Sequence, residues 1–278
     1  MDLKILQATP PWDWPQGTGK RLKKVLVDRR ASASDRLIAA ELAGDLVVMD
    51  DELAKTLTAV VRNAEEAAEL RAKAAIAFGA VFELAYTYEF EDPEDVPITE
   101  ETFNDIQATL RELYFDVTVP KEVRRRILEA SVRAPETWHE DAIKVAYDSG
   151  DRDWGLTAVF AMRWVRGFDQ QILEALKSTD PDIHYEAVEA AGNWGLAAAW
   201  SHVVALVRNA RTEKELLIAA IGGVGNIRPA EAREVLEDLV DSEDEDIAEA
   251  AEEAIGMAEI GGEGEEDEME EDKGEWIN

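Results

Sequence analysis

The stretch TDPDIHYEAVEAAG, residues 179–192, decides the fold. An acidic turn leads into Asp180-Pro181, a helix start signal, because proline at the first helical position gives up an N–H that had no partner anyway. Branched Ile183 then opens a run of small residues, and Gly192 stands nine positions on. The stretch SEDEDIAEAAEEAIG, residues 242–256, has the same order: acidic turn, Ile247, small-residue helix, Gly256.

Outward from these two, the pattern recurs along the chain. It appears as DRLIAAELAG (35–44), LRAKAAIAFG (70–79) and LLIAAIGGVG (216–225), and without the glycine as VRRRILEASV (123–132) and WGLTAVFAMR (154–163). The starts at 123, 154, 183, 216 and 247 are separated by 31, 29, 33 and 31 residues. The step from 35 to 70 is 35, and that from 70 to 123 is 53, one period plus about twenty residues.

A second helix fits into each period. Leu53, Leu57, Val60 and Val61 lie at helical spacing, as do Phe103, Ile106, Leu110 and Tyr114, then Trp138, Ala142 and Val145. Phe168, Ile172 and Leu176 follow, then Val203, Leu206 and Val207, then Ala232, Leu236 and Leu239. No run alternates with period two, so no sheet is expected. A two-helix unit of this length cannot bury its own apolar stripe and must stack on its neighbours. The expected fold is all-α, a right-handed α-α superhelix of about six or seven two-helix repeats.

On these residues the chain resembles the HEAT-repeat family, in the short form also found in phycobiliprotein lyases. The turns and small-residue helices of 179–192 and 242–256 carry the resemblance, which extends over roughly 35–258. It implies a HEAT-like, armadillo-type solenoid and leaves function open, because the repeat hosts many unrelated roles.

Three regions are expected: an extended N-terminal segment and basic helix over 1–34, the repeats over 35–258 with an insertion near 80–98, and an acidic disordered tail over 259–278. In the first, Trp12 and Trp14 of TPPWDWP (9–15) are expected to anchor the chain. The charge is uneven. Of 278 residues, 61 are acidic and 29 basic, a net charge of −32, yet residues 1–30 carry +4 and residues 241–278 carry −17. Such a balance argues against nucleic acid as a partner, which calls for a basic footprint. The chain has no cysteine, which removes disulfides, thiolate catalysis and cysteine-held metals. No stretch reaches 18 consecutive apolar residues and no secretory leader is read at Met1–Gln7, so no membrane association and a cytoplasmic location are expected.

Candidate chemistry is sparse. Gly17-Thr18-Gly19-Lys20 lacks the first glycine and the hydroxyl residue of a phosphate loop. The acidic run 241–246 lacks the glycine of a calcium loop and reads as acids at a helix N-terminus. His139, His184 and His202 have no metal-ligand spacing. No catalytic group, cofactor or metal is therefore expected, and the chain is read as a non-enzyme.

A helical wheel of the repeated helix places positions 1, 4, 5, 8 and 9 in the buried arc and positions 3, 6, 7 and 10 towards a concave inner surface. In the last repeat these are Glu249, Glu252 and Glu253, suited to a solvated cap. In the central repeats they are mostly apolar: Leu128, Leu156, Val159, Phe160, Tyr185, Val188, Ile218 and Ile221, with Arg125, Glu129, Arg163 and Glu189 among them. Such a strip is either packed between neighbouring helices or exposed as an interaction surface. The candidate binding residues are Arg125, Leu156, Phe160, Arg163, Trp164, His184, Tyr185 and Trp194, with Arg125 and Arg163 placed to hold a carboxylate. The expected function is non-catalytic binding of another protein, as a scaffold or adaptor. The alternatives are a lyase-like or chaperone-like assistant in modifying another protein, and an acidic chain that sequesters a basic one.

Overall fold

The structure, a computed structural model, describes residues 2–92 and 95–274, with the side chains of 261–274 outside the description. The described residues are helices and turns, with no strand among them. The chain divides into two compact units, Met1–Ala142 and Ile143–Asn278.

The first unit begins with α1 (Leu3–Gln7), followed by α2 (Thr18–Val27), α3 (Ala33–Leu42), α4 (Asp51–Arg62) and α5 (Ala68–Ile76). Then come α6 (Gly79–Tyr88), α7 (Glu100–Phe115), α8 (Lys121–Ser131) and the start of α9 (Thr137–Tyr147). The second unit takes up the rest of α9, then α10 (Arg152–Ala161), α11 (Asp169–Ala175) and α12 (Pro181–Asn193). It ends with α13 (Trp200–Val207), α14 (Lys214–Ile227), α15 (Pro229–Val240) and α16 (Glu245–Gly274).

The seven repeated segments are α3, α5, α8, α10, α12, α14 and α16. These inner helices pack in sequence order within each unit: α3 on α5 and α5 on α8 in the first, then α10 on α12, α12 on α14 and α14 on α16 in the second. The helices between them form the outer partners, α4 against α5, α7 against α8, α11 against α12, α13 against α14 and α15 against α16. Side-chain caps define many starts. Asp50 accepts the Leu53 N–H at 2.7 Å, Asp151 those of Asp153 and Trp154, and Asp180 those of Asp182 and Ile183.

At Gly44, Gly192 and Gly225 the glycine nine positions into the pattern has a packing cause, whereas a Cβ on Gly256 would meet nothing within 4 Å. A Cβ on Gly44 would lie 2.8 Å from the carbonyl oxygen of Ala77, and one on Gly225 3.0 Å from that of Ala254. One on Gly192 would meet the Cα of Gly223 at 2.9 Å. The small residues thus let consecutive inner helices approach with backbone nearly in contact.

The excess of residues between the second and third inner helices comprises α6 and the loop after it. Phe78 and Phe82 are fully buried, and the Phe82 ring meets Phe103 of α7 edge-on at 5.3 Å. Phe90 has a φ of 57°, costly for a bulky residue, and its ring rests 5.4 Å from Phe103. At the N-terminus, Trp14 donates its indole N–H to the carbonyls of Leu6 and Thr9 and ties the segment down. Trp12 is 78 % exposed, so its ring is not packed as an anchor among the described residues, unlike the expectation from sequence.

The acidic turns are staples. Arg152 at the start of α10 grips Asp180 at 2.7 and 3.0 Å and also reaches Asp182. Lys214 at the start of α14 holds Asp244 and Asp246 in the same way. A basic residue of one repeat is thus tied to the acidic turn of the next. The tail expected from residue 259 falls largely on residues 261–278, outside the described side chains. No helix among the described residues is long and apolar enough to cross a membrane.

Candidate functional site

The candidate residues separate by unit. Arg125 lies on α8 in the first unit, and Leu156, Phe160, Arg163, Trp164, His184, Tyr185 and Trp194 lie in the second. The sixth position of the pattern belongs to the core: Leu128, Val188 and Ile221 are fully buried and Val159 is 1 % exposed. The inner strip is therefore narrower than the helical wheel drew it. Its open members are the third and seventh positions, Leu156 and Phe160 on α10, Tyr185 and Glu189 on α12, Ile218 and Gly222 on α14. All but Gly222 are partly exposed, and Gly222, like Glu249 and Glu253 on α16, is exposed.

Neither arginine stands ready for an incoming carboxylate. Arg125 is 3.7 Å from Glu129, which is buried and also paired with Arg126. Arg163 reaches over to α12, where Glu189 lies at 2.6 Å and Glu186 at 3.4 Å. Its guanidinium sits 5.9 Å from the centre of the Phe160 ring. An excess of acid beside the strip has already claimed this cation.

The same excess acts on Tyr185. Burial raises its phenol above the ordinary range, and Glu189, Glu186 and Glu215 raise it further, while Arg163 opposes them. Trp194 is fixed rather than free, donating its indole N–H to the carbonyl of Met162 at 2.6 Å. Its ring is covered by Arg166, 4.3 Å from the centre. Trp164 is half-buried at the end of α10.

His184 meets His202 of α13, eighteen residues on, with Nε2 to Nε2 at 2.7 Å and ring centres 5.0 Å apart. The two nitrogens face each other head-on, the geometry of one N–H donating to the other ring's lone pair. Burial lowers the pKa of both, so both are neutral at pH 7 and the bond can form. Their sequence separation gave no hint of this pairing, which the repeat geometry creates. Among the described residues no group of three or more potential metal ligands assembles.

A second feature went unread in the sequence. The second position of the pattern is Arg36, Arg71 and Arg124 in the first three inner helices. Each donates from Nε to a carbonyl ten residues back, Leu26, Val61 and Tyr114, the penultimate residues of α2, α4 and α7. Each ties the end of an outer helix to its inner partner and satisfies a terminal carbonyl. The signal was legible: arginine at one register position, three repeats running.

Comparison with protein families agrees with this architecture. A family model described as HEAT repeats matches residues 170–256. No curated protein matches the chain. Human deoxyhypusine hydroxylase in complex with glycerol is similar at 17% identity, over 93% of this chain and 88% of that one, with a TM-score of 0.41. The complex of CpcE and CpcF of phycocyanin lyase from Nostoc sp. PCC7120 is similar at 18% identity, over 90% and 98%, with a TM-score of 0.44. A designed armadillo repeat protein in complex with the peptide (KR)4 is similar at 17% identity, over 86% and 100%, with a TM-score of 0.33. The architecture is an all-α one of HEAT-like helix pairs.

Proposed function

We propose that the chain is a non-catalytic scaffold that binds another protein on the inner-helix strip of its second unit. The observation that carries this reading is the contrast between repeats. At the third and seventh positions α10 presents Leu156 and Phe160, and α14 presents Ile218 and Gly222, where a purely solvated face would carry charge. The equivalent positions of α16, Glu249 and Glu253, do carry it. Aromatic side chains that keep part of their area exposed on a rigid helix are the usual anchors of an interface.

The test is the double variant Phe160→Ala/Tyr185→Ala, assayed for thermal stability and for capture of partners from a lysate. Both rings are only partly buried, so the folded state should survive with a loss well below the roughly 3–5 kcal/mol of a deleted core aromatic. Capture should be lost. An unfolded double variant would return these residues to the core, and undiminished capture would move the interface elsewhere.

A further inference from the structure

We propose that the strip takes an extended basic segment, with one cationic side chain seated against Tyr185 between Glu189 and Glu215, an apolar one on Ile218, and a second cationic one at Glu249 and Glu253. This rests on the scaffold reading of the same strip and names its occupant.

Charge complementarity selects the occupant. On α12 beside Tyr185 the carboxylates of Glu186 and Glu189 share one cation, Arg163, at 3.4 and 2.6 Å, and exposed Glu215 on the adjacent inner helix adds a third acid to the surroundings of the ring. Arg163 also displays the chemistry in place. Its guanidinium is held by two carboxylates of the next inner helix and lies over an aromatic ring of its own helix, 5.9 Å from the centre of Phe160. On that next inner helix the Tyr185 ring is partly exposed, Glu189 keeps part of its area open although it pairs with Arg163, and exposed Glu215 at the start of α14 adds a carboxylate uncompensated among the described residues. An arginine from a partner would meet there the same two kinds of group, an aromatic ring and carboxylates, that hold Arg163 within the chain.

The next step along the strip is apolar and recessed. Gly222 is exposed in the interior of α14, and a Cβ built on it would meet nothing within 4 Å. Gly192, Gly223 and Gly225 are small because another helix approaches them, whereas no neighbour requires Gly222 to be small. It leaves bare backbone beside Ile218, room for a partner main chain to come close. On α16 the two positions are both glutamate.

Spacing follows from general geometry. Packed helices lie about 8–10 Å apart and an extended chain advances about 3.3 Å per residue, so about three partner residues span one repeat. The occupant should carry cations about six residues apart with an apolar residue midway.

The probe is a nine-residue peptide with arginine at positions 2 and 8, leucine at position 5 and serine or glycine elsewhere, titrated calorimetrically into the full chain at 150 mM salt. Two controls are a scrambled peptide of the same composition and one with glutamate for arginine. The ordered peptide should bind at least tenfold more tightly than the scrambled one, and the glutamate peptide not at all. Glu215→Gln, an exposed change with no packing role, should weaken the ordered peptide about fivefold, and Tyr185→Ala about tenfold. Glu237→Gln on α15 should leave binding unchanged. Equal binding of ordered and scrambled peptides, or equal binding by all variants, would assign the attraction to bulk charge and overturn the proposal. If the ordered peptide fails to bind while the Phe160→Ala/Tyr185→Ala variant still loses partner capture, the scaffold reading stands and the basic occupant falls.

Discussion

Single side chains set two of this protein's solution properties. His139 is fully buried, and the Glu136 N–H donates to its Nδ1 at 2.8 Å, which places the ring proton on Nε2, 2.9 Å from Ser131 Oγ. Burial holds the imidazole neutral and lowers its pKa to about 4, helped by Arg111 and opposed by the Glu136 backbone. In the unfolded chain the same group titrates near 6.5. Above pH 6.5 neither state is protonated and stability is unaffected. Between pH 6.5 and about 4 the unfolded chain takes up a proton that the folded chain refuses, so stability falls by about 3 kcal/mol. Denaturant titrations at pH 7 and pH 4.5 should show this fall in the wild type and a smaller one in His139→Gln. The remainder collects the other groups whose values folding lowers, His184 and His202 by burial and carboxylates such as Glu66 by the hydrogen bond from Arg36. An identical fall in both proteins would remove His139 from the explanation. Two glycines give a paired test. Gly222→Ala fills open space in a helix interior and should stabilise by roughly 0.5–1 kcal/mol, whereas Gly192→Ala drives a methyl to 2.9 Å from Gly223 and should destabilise. Thermal melts of the two variants should move in opposite directions.

At the scale of the helix, the arginine locks do what hydrophobic packing cannot, since they fix the end of an outer helix against its inner partner by a directed bond. Arg71 is 4 % exposed, and desolvation pulls its guanidinium below the ordinary range, with Asp116 opposing. Its Nε–H bond to the carbonyl of Val61 is 2.8 Å. Arg71→Leu should cost about 2–3 kcal/mol in urea unfolding, since it leaves a buried carbonyl unpaired and gains only apolar contact in return. Arg71→Lys should recover little, because an ammonium lacks the planar donor set that fits beside the helix end. A loss below about 0.5 kcal/mol for the leucine variant would make the lock ornamental. Legibility in the sequence divides along the same line. The helix pairs could be read because Ile183, Ala187, Ala190 and Ala191 recur at a helical period, and burial enforces that period in every repeat. Gly192 was legible because backbone contact between helices tolerates nothing larger. The pairing of His184 with His202 was not, because it depends on the offset between an inner helix and the outer helix after it. The sixth-position residues misled the wheel, since Val188 and Ile221 are fully buried in the packed structure, and a wheel drawn for one isolated helix leaves its neighbours out.

For the whole molecule, charge outweighs any local pair. If every one of the 29 basic residues were matched with an acid, 32 acids would remain unmatched. The pairs that form are mostly exposed, as at Lys23–Glu52 and Arg29–Glu65, and such pairs contribute about 0–1 kcal/mol each. At about 0.01 M salt the screening length is roughly 30 Å, so like charges repel across the width of a repeat, and at 1 M it is roughly 3 Å. Added salt weakens attractions and repulsions alike, but here the repulsions are more numerous, so the melting temperature should rise between about 0.01 and 0.5 M KCl. Residues 261–278 carry nine acids and one lysine, with few apolar residues to bury. A chain lacking them should show a smaller rise, while its melting temperature at 0.5 M stays within about two degrees of the full chain. If salt lowered the melting temperature of the full chain, the ion-pair staples at Arg152 and Lys214 would outweigh the net repulsion. If the shortened chain melted several degrees lower at high salt, the segment would be contributing apolar contact, with Trp276 as its anchor.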